Sequence, residues 1–353
     1  MVRAQGLGAV AMAMGLAACG PEGESTATDG STTETGSTTE APSSTSVAET
    51  TVAADTDASS STTAPIPACG NGLVEADEQC DGTDLAGATC MILLGYEGEL
   101  ACTDTCTLDA LACAPPGMIL IPGGEFEMGS DAYADDERPA RQVNVDAFYI
   151  DAFEVTVAEW DLCVQTGTCD VAGMGGDCNY GVAGRDDHPI NCVGWFDAYT
   201  FCGWVGGPLD KRLPTEAEWE KAARSDDARL HPWGDDPPPS CTHVSMNEGM
   251  GGGCGANSSL PAGSKPMGDS PYGVHDMAGG VWDWVADWYG VYDFAEDDNP
   301  TGPPMGTFRV IRGGGWNTTD INWFRGSARN PTDMVGNANI GFRCAQDPPV
   351  LPM

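Results

Sequence analysis

The fifteen cysteines, and the way they divide along the chain, restrict the possible folds more than any other feature. Cys19 stands alone at the end of an apolar run. Cys69, Cys80, Cys90, Cys102, Cys106 and Cys113 form a dense group of six. Eight more (Cys163, Cys169, Cys178, Cys192, Cys202, Cys241, Cys254 and Cys344) are spread over the C-terminal region. Even-numbered groups in a chain with an export-like leader read as disulfide frameworks of an oxidising compartment. The group of six defines a module over residues 68–115, too small to be held by apolar burial alone and stabilised instead by cross-links. Cys102 and Cys106 have zinc-ligand spacing, but an exported chain favours the disulfide. Asp81 and Asp84 in this module read as a solvated acidic face.

Residues 1–19 carry a basic Arg3, an apolar small-residue run and then Leu16-Ala17-Ala18-Cys19. The run is short for a membrane span, and its end resembles the bacterial lipobox. The resemblance implies lipidation of Cys19 and a membrane partner through the lipid anchor. The expected localisation is the bacterial cell envelope, with Gly20 in place of aspartate pointing to the outer membrane. Residues 20–67 are Ser, Thr, Ala, Gly, Glu and Pro with few large apolar groups, so burial cannot offset their ordering entropy; they form a disordered linker. Lys+Arg number 15 against 53 Asp+Glu, a net charge of −38, and no basic residue occurs between Arg3 and Arg138. That balance excludes nucleic acid, whose binding depends on neutralising phosphates.

From residue 116 the composition becomes that of a globular domain. Met118 to Ser130, MILIPGGEFEMGS, reads as a hairpin about Gly123-Gly124. A strand-like AFYIDAFEVT follows, and Thr156 with Glu159 forms a capping box opening a helix. A helix near Gly194 to Val205 places Trp195, Ala198, Cys202 and Val205 on one buried face. In RLPTEAEWEKAAR, Thr215 and Glu218 form a second capping box, Glu216 and Glu218 suit the helix dipole, and Trp219 packs inward. Residues 237–255 read as a surface loop stapled by Cys241 and Cys254, and Trp282, Trp284 and Trp288 as core aromatics. From Arg309 to Ala345 a short strand leads into Gly313-Gly314-Gly315, then an Asn/Thr-rich segment, then an apolar strand ending at Cys344. Repeated glycines let the backbone take positive φ and approach its neighbours closely.

MILIPGGEFEMGS, RLPTEAEWE, YGVHDMAGGVWDW and the RGGGWN…IGFRCA run together resemble the formylglycine-generating enzyme (sulfatase-modifying factor) family over about residues 116–346, leaving a tail at 347–353. The resemblance implies an α+β fold, a C-type-lectin variant with low regular secondary structure. Catalytic members hold copper(I) on two cysteines after "RGGS" and oxidise a substrate cysteine to formylglycine. Here Gly315 replaces the serine, Thr318 falls near the first cysteine, and Ile321 to Trp323 hold no second one, so no copper is expected. The resemblance also implies a disulfide between Cys202 and Cys344, one structural calcium on Gly279, Val281 and Asp283, and another beginning at Asn247 and Glu248. Gly280 and Asp283 replace a family asparagine and glutamate. His188, His231, His243 and His275 are scattered and lack the spacing of a helical metal site.

The segment carrying Trp316, Asn317, Thr318, Asn322, Trp323, Arg325 and Arg329 supplies the candidate ligand-binding residues. Arginine forks pair with carboxylates and tryptophan offers flat apolar area; the competing reading buries Arg329 in an ion pair and Trp316 in the core. The pattern also resembles ligand-binding variable proteins that share the lectin-type scaffold. The sequence therefore points to a non-catalytic module for a protein, peptide or glycan ligand, with a divergent oxidoreductase acting on protein cysteine as the alternative.

Overall fold

The computed structural model describes residues 69–75, 78–206, 211–292, 296–349 and 351, which fall in one compact unit. The lipobox with Cys19 and the linker to residue 67 lie outside the described residues.

Three disulfides, Cys69–Cys106, Cys80–Cys102 and Cys90–Cys113, organise the N-terminal module. Its regular structure is a five-residue helix, α1 (Cys90–Leu94), and a two-residue ladder, β1 (Ala101–Cys102) with β2 (Leu108–Asp109). Asp81 is buried rather than part of a solvated face. Its carboxylate accepts the amides of Gly70, Asn71 and Gly72 at 2.9–3.0 Å, fixing a loop that apolar contacts could not. The module is held against the chain that follows residue 115. The Tyr149 hydroxyl donates to Leu111 O at 2.7 Å and lies near Ala110 O and Cys113 O. Leu351, in the expected tail, packs on the small core of Cys90, Ala110 and Cys113.

In the larger part, β3 (Met118–Ile121), β6 (Phe148–Asp151) and β11 (Ala345–Gln346) form one sheet, ordered β11-β6-β3. A separate ladder joins β4 (Gly124–Met128) to β5 (Arg141–Val145). The hairpin expected at Gly123-Gly124 therefore does not form. β3 takes β6 as its partner and β4 takes β5, so the glycines carry the chain from one sheet to the next. The third sheet has the order β10-β7-β8-β9, from β7 (Trp282–Trp288), β8 (Arg309–Arg312), β9 (Arg329–Thr332) and β10 (Ile340–Phe342).

Three helices pack on these sheets: α2 (Val157–Thr166), α3 (Trp195–Gly206) and α4 (Glu216–Arg224). Both capping boxes form, with Thr156 and Thr215 accepting the N3 amides and Glu159 and Glu218 returning the bond. On α3 the buried face is Trp195, Ala198, Phe201 and Cys202. Val205 is instead 43% exposed, because the last turn of α3 borders an open cleft with Leu162 and Trp204 instead of core. One core cluster joins Trp160, Phe201, Trp284 and Phe342, with Cys202–Cys344 tying α3 to the link between β10 and β11. A second surrounds Trp219, Phe126, Val143 and Val310.

The charged face of α4 is also buried. Glu216, Glu218, Glu220, Lys221 and Arg224 all lie in the interior, where helix patterning would place none of them. Ion pairs explain the exception for the three acids and Arg224, while Lys221 donates to Gly124 O. Glu216 holds Arg329 through two bonds of 2.8 and 2.6 Å, Glu220 holds both Arg312 and Arg224, and Arg212 forks onto Glu218. Buried charges persist when paired and hydrogen-bonded in this way.

Candidate functional site

The segment after β8 divides into an outer and an inner part. Gly313 and Gly314 have φ of 93° and 81°, while Gly315 does not need the left-handed region. Trp316 then turns inward, its Nε1 donating to Ala338 O at 2.8 Å. A neighbouring loop closes over it, since a Cβ on Gly252 would lie 2.4 Å from the indole. Thr318 is half-buried: its Oγ1 accepts the Gly315 amide and its carbonyl accepts the Asn247 amide.

Asn317, Thr319, Asp320, Ile321 and Asn322 are exposed. Asp320 caps a single 3-10 turn, Ile321–Phe324, by accepting both the backbone and side-chain amides of Asn322. Asn317 Oδ1 accepts Asn339 Nδ2 at 3.1 Å, linking this arc to the segment before β10. Trp323 stands half-buried, edge-on to Trp282 with ring centroids 5.5 Å apart. Asn317 and Asn322 are thus exposed and Thr318 and Trp323 half-buried.

Arg325 and Arg329 are buried. Arg325 forks onto Glu137 at 2.6 and 2.7 Å, with Tyr133 stacked 3.9 Å from its guanidinium. Burial pushes the Glu137 carboxyl up, but the hydrogen bonds from Arg325 and Ser327 outweigh it and hold the group below the usual carboxylate range. Arg329 is spent on Glu216, Asp136 O and Gly290 O. Trp316, Arg325 and Arg329 are therefore supports beneath the surface and not contacts upon it. The competing sequence reading already buries Arg329 in an ion pair and Trp316 in the core; only the withdrawal of Arg325 carries no local sign, because Glu137 sits in an acidic run that reads as solvent-facing.

The calcium candidates separate as well. Asp283 is buried; its Oδ2 accepts Trp219 Nε1 and Arg343 Nε, while Oδ1 has no hydrogen-bond partner. Beside Gly279 and Val281 stands a residue the sequence did not single out, Glu154. Its Oε1 accepts the Val281 amide at 2.8 Å and its Oε2 is buried without a partner. Burial, then Asp276, raise Glu154 well above the ordinary carboxylate range, with Arg343 opposing. Unpartnered carboxylate oxygens are the donors a hard cation takes. Asn247 and Glu248 form no comparable cluster: Asn247 Oδ1 accepts the Gly249 amide, and exposed Glu248 accepts the Cys241 amide. Among the described residues, the one close set of three acidic, His or Cys groups is Glu78, Asp81 and Cys106, and Cys106 is in a disulfide.

Cys163–Cys169, Cys178–Cys192 and Cys241–Cys254 complete the disulfides, so every described cysteine is bridged. The donor set does not fit copper(I), which takes thiolates: among the described residues no cysteine is free. The histidines are dispersed too. His231 and His243 flank the Trp233 ring at 4.8 and 5.1 Å, His188 meets Ser259, and His275 pairs with Asp269.

Residues 108–348 match the sulfatase-modifying factor enzyme 1-like domain. The chain belongs to that family. The sulfatase-modifying-factor-like chain is 34% identical over 288 residues to the formylglycine-generating enzyme of Bos taurus, a match covering 66% of this chain and 75% of that one. It is 32% identical over 240 residues to hercynine oxygenase of Mycolicibacterium smegmatis, covering 56% and 54% of the two chains. Among solved structures it resembles PvdO from Pseudomonas aeruginosa, with a TM-score of 0.57 and 25% identity over 71% of this chain and 98% of that one.

Proposed function

We propose that this sulfatase-modifying-factor-like protein is a ligand-binding module without the family's cysteine oxidase chemistry. It would use the exposed arc Asn317–Trp323 and the loop beginning at Asn247 as its contact surface. The observation that carries the reading is the bridging of every described cysteine beside an arc of exposed amides, hydroxyls and one half-buried indole. Amide and hydroxyl groups with a flat aromatic edge suit a glycan or an extended peptide. A lipid anchor at Cys19 would display the module on the cell envelope. A structural calcium at Gly279, Val281 and Asp283 would stiffen the support, and the unpartnered Asp283 Oδ1 favours it.

A glycan and peptide array probed with residues 63–353 tests the reading. Binding of a defined ligand class, abolished by Asn322→Ala, is the expected result. The competing reading is a divergent oxidoreductase acting on protein cysteine, favoured by 34% identity to a formylglycine-generating enzyme and 32% identity to hercynine oxygenase. It predicts stoichiometric copper(I) binding or turnover of a cysteine peptide, and either result would replace the binding-module reading.

A further inference from the structure

Strand β7 is bulged. Trp284 pairs with Ile311 and Trp288 with Arg309, four steps along β7 against two along β8. Bulges bend a strand, re-aim its side chains and gather beside functional sites. The displaced backbone groups here are taken by other elements. Trp195 Nε1 donates to Val285 O, Pro214 O accepts the Ala286 amide, and Arg309 donates to Ala286 O. Asp287 is thereby turned inward. It is 4% exposed, and its Oδ2 accepts the Glu216 amide at the start of α4, 2.7 Å away. Its other oxygen accepts no hydrogen bond among the described residues.

This carboxyl lies on the floor of a cavity of about 430 Å³, walled by Met128, Tyr289 and Tyr292 and roofed by the strap from Pro300 to Met305. The strap is pressed close, since a Cβ on Gly302 would stand 2.9 Å from Asp287 Oδ1. A largely apolar wall with a few fixed polar groups, in a cavity of this size, is the usual form of a small-molecule site.

The cations on the wall are committed elsewhere. Arg329 is spent on Glu216 and two carbonyls, and Arg141 donates to Glu296 O and pairs with Asp297 at 3.6 Å. The groups left over are the Asp287 carboxyl, the buried Tyr292 hydroxyl, which has no hydrogen-bond partner, and the exposed Glu296 at the mouth. Among the described residues the uncommitted ionisable groups are acids, and the net charge of −38 steers cations toward the protein.

We propose that this cavity binds an alkylammonium group, with Asp287 as its counter-ion and the aliphatic stem against Met128, Pro303 and the tyrosine rings. A small primary amine and a lysine side chain share that chemistry.

Binding is then linked to a proton. Burial, with Glu216 and Glu218 adding, pushes Asp287 up to about 8, against the Glu216 amide, Arg329 and Arg309. The empty site holds a proton at neutral pH that an entering ammonium displaces.

The test is calorimetric titration of the full chain with n-butylamine between about pH 6 and about pH 8, in buffers of differing ionisation enthalpy. One site per chain is expected, with affinity rising about tenfold per pH unit and proton release on binding. Asp287→Asn should abolish binding while retaining the Glu216 contact, and Met305→Trp, at the exposed mouth, should weaken it without touching the floor. Equal binding of n-butanol, pH-independent affinity, or undiminished binding in both variants would overturn the proposal. Nα-acetyl-lysine N-methylamide binding tighter than n-butylamine identifies a protein side chain as the source; weaker binding identifies a free amine.

Discussion

The two halves of the segment after β8 use similar residue types for opposite purposes. From Asn317 to Trp323 most polar side chains face solvent and bond to near neighbours, as Asp320 does with Asn322 and Thr318 with Gly315. From Arg325 to Arg329 they are buried and fork onto acids more than a hundred positions away in sequence, Arg325 on Glu137 and Arg329 on Glu216. The inner half holds the outer half in place. One can therefore be varied with little cost to folding, and the other cannot.

The largest effect should come from breaking the inner half. Arg329→Ala leaves Glu216 buried without its bidentate partner, and truncating one member of such a pair costs about 3–5 kcal/mol. Denaturant unfolding should show that loss, with the slope unchanged if the native state stays compact. Replacing Glu216 and Arg329 together by apolar residues should recover much of it, because the remaining charge is then removed as well.

A smaller effect, with a pH signature, should follow Glu137→Gln. The folded-state pKa of Glu137 lies below its ordinary value of 4.5. Its contribution is therefore fully present above that value and is lost as pH falls through the folded-state pKa. The stability gap between wild type and variant, followed by thermal unfolding, should be constant near neutrality and shrink in acid. A gap that widens in acid would mean that Arg325 does not hold the carboxylate.

Asp287 should behave in the reverse sense. Its folded pKa is raised to about 8, so the unfolded chain gives up a proton that the fold retains. Wild-type stability then falls as pH rises from the ordinary aspartate range toward 8, and Asp287→Asn should gain relative to wild type over that interval.

The smallest effect on folding should come from the outer half. Asn317→Ala and Asn322→Ala should each change stability by within about 0.5 kcal/mol, as exposed positions usually do. The same changes should remove ligand binding. Equal loss of stability in both halves would erase the distinction between surface and support.

The sequence made the local features of this fold legible and concealed the long-range ones. Thr156 with Glu159 and Thr215 with Glu218 announce helix starts because a capping box is complete within four residues. The pairing of β3 with β6 and of β4 with β5 is not contained in the MILIPGGEFEMGS run, where a glycine pair looks like a hairpin. At the site, the exposed amides of Asn317 and Asn322 could be read from composition. The partners that withdraw Arg325 and Arg329 could not, since Glu137 and Glu216 carry no local mark of burial. Glu154 and Asp287 were missed for the same reason: each follows or lies within an apolar stretch, and only the tertiary fold encloses it.

The account rests on the absence of free thiols, and a thiol titration of the denatured, unreduced protein tests it most directly. With Cys19 lipidated or replaced by serine, the account predicts no reactive thiol and no tight copper(I) binding by the folded chain. Two reactive thiols, together with stoichiometric copper(I) retained in the native state, would contradict it.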